Sequence, residues 1–265
     1  MGSSMLDLTG FYSHLLTLLL PWVRILAFLQ FSPLAESALI SRKVRLLLSL
    51  VLTALIGPLL TLPPLPPLLS TTLLILVAEQ IGWGAIFGQL LQFAFSSLQT
   101  AGQIIAMNMG LSMAVQNDPV NGTSNTLVAQ LFNLTAILIF FAANGHLLLI
   151  TILYKGFIYW PIGAALSWPS LQVLISSFGW IISAAVIIAL PSTIIMLLIQ
   201  GVFGLLNKVS PSLNLFSLGF PLATLAGIVS IALLIPSLSE HYLSLTNQII
   251  HQFDLLRGAN VSSQR

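Results

Sequence analysis

Cysteine is missing from this 265-residue chain, and charge is nearly so, with 8 Lys and Arg and 6 Asp and Glu in all. Without a thiol there is no disulfide, no iron–sulfur cluster and no cysteine nucleophile. The shortage of charge excludes more. A soluble domain carries roughly a quarter charged residues, whereas here 5% are charged, 57% are hydrophobic and the mean hydropathy is +1.03, which places the chain in a bilayer. The formal net charge of +2 and the lack of any like-charge block argue against nucleic acid. Enzyme signatures are missing as well. His14, His146, His241 and His251 form no metal-ligand spacing, the acids are scattered singly, and neither a Walker loop nor a GxSxG elbow occurs. Neither catalysis nor a cofactor nor a metal site is expected.

What is present is apolar helix. No Asp, Glu, Lys or Arg falls between Leu46 and Ala78, Gln80 and Asn117, Val120 and Tyr154, Gly156 and Asn207, or Val209 and Ser239. A span needs about 20 apolar residues, so six to eight hydrophobic helices are expected, near 11–31, 44–62, 70–90, 92–115, 126–153, 171–206 and 218–238. The basic cluster Arg42, Lys43 and Arg45 is placed on the cytoplasmic side by the positive-inside rule, with the amino terminus outside. The stiff run at Pro63–Leu68 then becomes a short external connection, and Tyr159, Trp160 and Trp168 read as interfacial aromatics. No cleavable signal pattern precedes the first helix, which is itself expected to direct insertion.

From Leu68 to Asp118 there is no proline. About 50 helical residues would be roughly 75 Å long, so a break is expected at Gly82, Gly84 and Gly88; Gly84 and Gly88 also form a GxxxG pair suited to close helix approach. Beyond it, Gln89, Gln92, Ser96, Gln99 and Gln103 are spaced three, four, three and four apart, a polar seam on one helical face. Glutamine facing lipid leaves its amide unsatisfied, so the seam serves either interhelical hydrogen bonding or the hydrated, uncharged wall of a conduit.

The seam runs into Met107, Met109 and Met113, soft side chains that are either core filler or a pliable surface. QNDPVNGTSN follows, with Asp118–Pro119 initiating a turn, Asn121–Gly122 tolerating positive φ, and Ser124 or Asn125 capping the next helix. Ionisable residues within helices are suspect by default. For Arg24 and Lys155 the choice lies between snorkelling to an interface and function, and for Glu79 between an ion pair and transport. Glu79 and a broken helix at IGWG would suit a proton-coupled secondary transporter, the alternative reading of the chain.

Three long stretches in order, GQIIAMNMGLSMAVQNDPVNG, NGHLLLITILYKGFIYWPIG and PSTIIMLLIQGVFGLLNKVSPSLNLFSLGFPL, together with SRKVRLLLSL, resemble the FliR family of flagellar export-gate proteins, related to the SctT branch of virulence systems. The resemblance covers about 8–256 and implies an all-α, membrane-associated bundle of long, kinked hydrophobic hairpins. It implies a FliP-like part at 1–169, a FliQ-like hairpin at 170–255 and a polar tail at 256–265. It further implies a closed helical pore, built with FliP-like and FliQ-like subunits in the bacterial inner membrane at the flagellar basal body, through which unfolded flagellar proteins are exported. FlhB-like and FlhA-like export components and membrane lipid are the other implied partners.

Carried onto this chain, the resemblance makes 115–125 a pore plug. The residues concerned are Gln116, Asn117, Asp118, Pro119, Asn121 and Gly122, with Met107, Met109 and Met113 as the nearby gasket sulfurs. Pro191 would kink the carboxyl-terminal hairpin, and Lys208, Pro211, Asn214 and Phe216 would form its tip. Lys155–Gly156 stands where the family commonly has a small serine-containing stretch, so Lys155 is given no role.

Overall fold

The computed structural model describes residues 8–33, 40–60, 70–111, 115–118, 123–165, 168–209 and 215–263. Among them are seven α-helices: α1 (Leu8–Phe31), α2 (Arg42–Ile56), α3 (Thr71–Asn108), α4 (Leu127–Ala142), α5 (Gly145–Tyr159), α6 (Trp168–Val209) and α7 (Leu215–Ser263). A 3-10 turn at Gly57–Leu59 follows α2, and two four-residue strands, β1 (Val115–Asp118) and β2 (Thr123–Thr126), interrupt an otherwise all-α membrane fold. Three helical stretches are long and apolar enough to cross a bilayer, Thr71–Asn108, Leu171–Leu206 and Pro221–Gln252.

The expected break at IGWG does not occur. Helix α3 runs unbroken for 38 residues, roughly 57 Å at 1.5 Å per residue. The length limit applies to a helix surrounded by lipid, whereas this one is wrapped in protein from Trp83 onward, with Phe87, Leu90, Ala94, Leu98 and Ala101 all buried. Its glycines serve packing instead of a break. A Cβ on Gly84 would collide with the Arg24 carbonyl oxygen and lie 2.8 Å from Ala27 Cβ; one on Gly88 would lie 2.5 Å from the Phe28 carbonyl oxygen. Because both positions advance together along the two helices, α1 and α3 run parallel, with GxxxG as their contact.

The expected single helix at 126–153 is instead two. Ala143 closes α4 by donating to the Ile139 carbonyl, and Asn144 takes φ 56°, the left-handed conformation that asparagine tolerates, before Gly145 opens α5. At the other end of the chain, the expected polar tail continues α7 as helix to Ser263.

Packing divides the chain into two compact units that interleave in sequence. One comprises Met1–Gln92, Gly145–Leu174 and Phe253–Arg265, the other Phe93–Asn144 and Ile175–Gln252. In the first, α2 is an inside-out helix. Arg45, Ser49 and Thr53 point inward with Ile56, while Leu47, Val51 and Leu55 are exposed. Each inward polar side chain makes a local hydrogen bond: Trp22 Nε1 donates to Ser49 Oγ at 2.9 Å, Thr53 Oγ1 to the Ser49 carbonyl at 2.6 Å, and Arg45 Nη1 to Gln30 Oε1 at 2.6 Å. Polar inside and apolar outside is the polarity of a helix whose solvent is not water.

The core of this unit is aromatic. Trp83, Phe87 and Trp160 have ring centroids 5.2 to 5.7 Å apart, and Trp83 Nε1 donates to the Ala164 carbonyl at 2.9 Å. Trp160 is wholly buried and therefore not interfacial, unlike Trp168, which is 69% exposed. Arg24 does not snorkel. It is fully buried, its guanidinium lies 4.6 Å from the Phe157 ring centroid, and Nη1 donates to the carbonyls of Trp160 at 2.7 Å and Gly156 at 3.3 Å. A cation is thereby held at the carboxyl-terminal end of α5, where the helix dipole favours it. The nearby Glu79 carboxylate acts on it electrostatically. Lys155 is exposed.

In the second unit, α6 and α7 pair antiparallel. Ser192 and Ser230 hydroxyls meet at 2.7 Å, and Trp180 Nε1 donates to Gln248 Oε1 farther along. Helix α6 buries Ile181, Ala185, Ile188 and Ser192 against Ser230, Leu234, Leu238 and Tyr242 of α7, a stripe of residues three or four apart on each. The rest of α3 joins them through Phe95, whose ring contacts Phe140 at 5.6 Å and Tyr242 at 6.1 Å.

Candidate functional site

The site is built at the carboxyl-terminal end of α3, inside the second unit. Gly110, at φ 76°, ends the helix, with its N–H donating to the Met107 carbonyl at 3.1 Å. The last turn is held from both hairpin helices. Asn108 Nδ2 donates to Thr193 Oγ1 of α6 at 2.9 Å, Gln200 Nε2 donates to the Asn108 carbonyl at 2.9 Å, and Met109 lies so close to Gly227 of α7 that no Cβ would fit there. Gln200 thus occupies a carbonyl that the helix end leaves without an intrahelical donor.

Beyond this clamp the chain forms a hairpin. Strands β1 and β2 pair antiparallel, with Val115 opposite Thr126, Gln116 opposite Asn125, Asn117 opposite Ser124 and Asp118 opposite Thr123. Within the loop expected at 115–125, residues 115–118 and 123–125 are therefore paired as a ladder. Helix α4 is capped not by Ser124 or Asn125 but by Thr126, whose Oγ1 accepts from Ala129 N at 3.3 Å and donates to Gln103 Oε1 at 3.1 Å. Pairing extends the chain up to Thr126, so only that residue reaches the cap position. The α3–α4 contact beside it is close: a Cβ on Gly102 would lie 2.8 Å from Ala129 Cα.

The candidate residues separate by position. Met107 is 59% exposed, whereas Met109 is buried at 1%. Gln116, Asn117 and Asp118 lie on β1. Met113, Pro119, Asn121 and Gly122 lie outside the described residues, as do Pro211 and Asn214 of the proposed tip. Pro191 sits inside α6, which continues through it, Lys208 is exposed in its last turn, and Phe216 lies in the first turn of α7. Among the seam residues, Gln89 and Gln92 in the first unit and Ser96, Gln99 and Gln103 in the second are each half-buried on a helix whose other positions are mostly buried. Gln103 bonds to Thr126 across two helices, which is the interhelical role.

Sequence reasoning missed Asn108, Thr193, Gln200 and Gly227. No local pattern joins positions 85 and 92 apart; Gly227 is the one visible hint, a glycine in an apolar run. Among the described residues no group of three His, Asp or Glu could hold a metal ion.

Residues 15–249 match the model of the family described as bacterial export proteins, family 1. The flagellar biosynthetic protein FliR of Pectobacterium carotovorum subsp. carotovorum is 34% identical over 240 residues, covering 89% of each chain. The protein of the same description from Escherichia coli K12 is 34% identical over 228 residues, 84% of this chain and 87% of its own. The Yop proteins translocation protein T of Yersinia pestis is 29% identical over 167 residues, 62% of this chain and 63% of its own. With a match that spans almost the whole helical body, this chain belongs to the FliR family, family 1 of the bacterial export proteins.

Proposed function

We propose that this chain is a non-catalytic subunit of a type III protein export apparatus, placed in the bacterial inner membrane at the flagellar basal body. It assembles with FliP-like and FliQ-like subunits into a closed helical pore for unfolded flagellar proteins, with FlhB-like and FlhA-like components adjoining. The observation that carries this reading is the paired strands β1 and β2, which follow in sequence the end of α3 that Thr193, Gln200 and Gly227 hold in place. A plug must be ordered when closed yet displaceable, and a short ladder on a fixed base meets both needs. Its strand residues are amides and hydroxyls apart from Val115 and the acid Asp118, and exposed Met107 lies in the last turn of α3. Soft thioethers and amides seal without preference for one polypeptide sequence. Met109, being buried, serves as packing in the clamp.

The antiparallel α6–α7 pair fits the FliQ-like hairpin at 170–255, with 1–169 as the FliP-like part. The alternative, a proton-coupled secondary transporter, loses one of its supports because α3 is unbroken at IGWG. Co-expression of the tagged chain with its FliP-like and FliQ-like neighbours, followed by native mass spectrometry in mild detergent, tests the assignment. A discrete hetero-oligomer containing both is expected. A monomer or homo-oligomer that ignores both would overturn it.

A further inference from the structure

The first unit carries a feature that the export reading does not use. Between α1, α2 and the first turns of α3 lies a cavity of about 510 Å³. Its walls include Val23 of α1, Leu46 of α2 and Ile81 of α3, and at one end stand Gln30, Arg42 and Arg45. Arg45 is steered there by its bond to Gln30. Arg42, itself exposed, lines the cavity, exposed Lys43 is its neighbour on α2, no acid occurs in the first turn of α2, and among the described residues no Asp or Glu lines the cavity.

Three cations therefore gather at the amino-terminal, positive end of a helix dipole, where each is unfavourable and each repels the others. A bound anion reverses the sign of every one of those interactions. The cavity thus has an anion-seeking end and apolar walls.

We propose that this groove binds an anionic phospholipid, its phosphate held by Arg42 and Lys43 beside Arg45 and one acyl chain lying along Val23, Leu46 and Ile81. Free phosphate would leave the apolar walls uncovered. An extended peptide would bring backbone N–H and C=O groups against walls that offer them no partner. A lipid satisfies both ends, and the positive-inside rule puts the cations at the cytoplasmic leaflet, where basic pockets between helices recognise anionic headgroups.

The test is lipid retention by the full-length chain in mild detergent, read by native mass spectrometry during titration with phosphatidylglycerol. One retained lipid per chain is expected, with phosphatidylcholine of the same acyl chains bound at least ten-fold more weakly. The double variant Arg42→Gln, Lys43→Gln changes only exposed side chains and should bind roughly 30-fold more weakly, about five-fold per cation. Ile81→Trp, which fills the groove and keeps the charges, should abolish retention. Equal retention of the two lipids, retention unchanged in both variants, or displacement by inorganic phosphate at equal concentration would each overturn the proposal. The last result would make this a free-phosphate site.

Discussion

Helix α3 carries its glycines where another backbone arrives. Gly84→Val places a side chain against the Arg24 carbonyl and Phe28 N, both backbone atoms that cannot rotate away. A loss of about 3 kcal/mol is expected, at the upper end of ordinary overpacking, read as a lower thermal midpoint in detergent. Gly179→Ala on α6 meets nothing within 4 Å and should be neutral or stabilising by about 0.5–1 kcal/mol. Equal effects of the two would mean that α1 and α3 do not touch there. Gln80 provides the converse case. Its amide is fully buried, and neither polar atom has a partner among the described residues. Gln80→Met keeps the volume and removes the unsatisfied groups, so a gain of about 1–2 kcal/mol is expected; a loss would show that the amide is engaged in the assembled protein. The sequence made the GxxxG contact visible but gave its glycines the wrong first role. A glycine marks permission for close approach or for a break, and the partner backbone that decides between them lies some 60 residues earlier.

At the scale of elements, the hairpin register makes its own probe. The chain has no cysteine, and Asn117 stands opposite Ser124, within the separation of about 4.5–5.5 Å that antiparallel partners share and a disulfide accepts. Asn117→Cys with Ser124→Cys is therefore expected to close an intramolecular bridge on mild oxidation. Secretion of flagellar subunits should then fall and should return on reduction. A bridge that forms without slowing secretion would separate the hairpin from gating, and failure to form one would refute the register. Asn108→Ala should act at the base of the same element. It removes a bond to Thr193 worth about 1 kcal/mol, and small-solute leak through the assembled pore should rise while assembly persists. Only part of this element was expected in advance: a polar connection at 115–125 was foreseen, but the helix before it was expected to run to 115, whereas it ends at Asn108 with Gly110 at φ 76°, and Asn121–Gly122 lie outside the described residues. The ladder was not, because QNDPVNGTSN has turn chemistry without the alternating apolar pattern that announces strands. Nor was the Thr126 cap, which follows from the pairing.

For the whole molecule, the question is what covers its outer surface. Helix α6 exposes Ile182, Ile187 and Leu198 by 63 to 66%, and α7 exposes Leu225 and Leu233 by 61 and 72%. Hydropathy marks such side chains as out of water but does not say whether lipid or protein receives them, since lipid tails are as apolar as leucine. That ambiguity is why charge-free runs located the long helices while leaving topology open. Leu198→Glu separates the two possibilities. Against a neighbouring subunit's helix it buries an unpaired carboxylate in a close-packed interface, a cost of several kcal/mol. Co-purification of the FliQ-like subunit should then be lost, with the chain still in the membrane fraction. Against lipid, the same substitution taxes insertion, by about 2.5–3.5 kcal/mol at mid-bilayer, so the chain itself should decline while any partner still binds the remainder. The expected result is the first. The inward-facing Met196, fully buried on the same helix, supplies the contrast: Met196→Ala should lower stability by about 2–5 kcal/mol and weaken both readouts together.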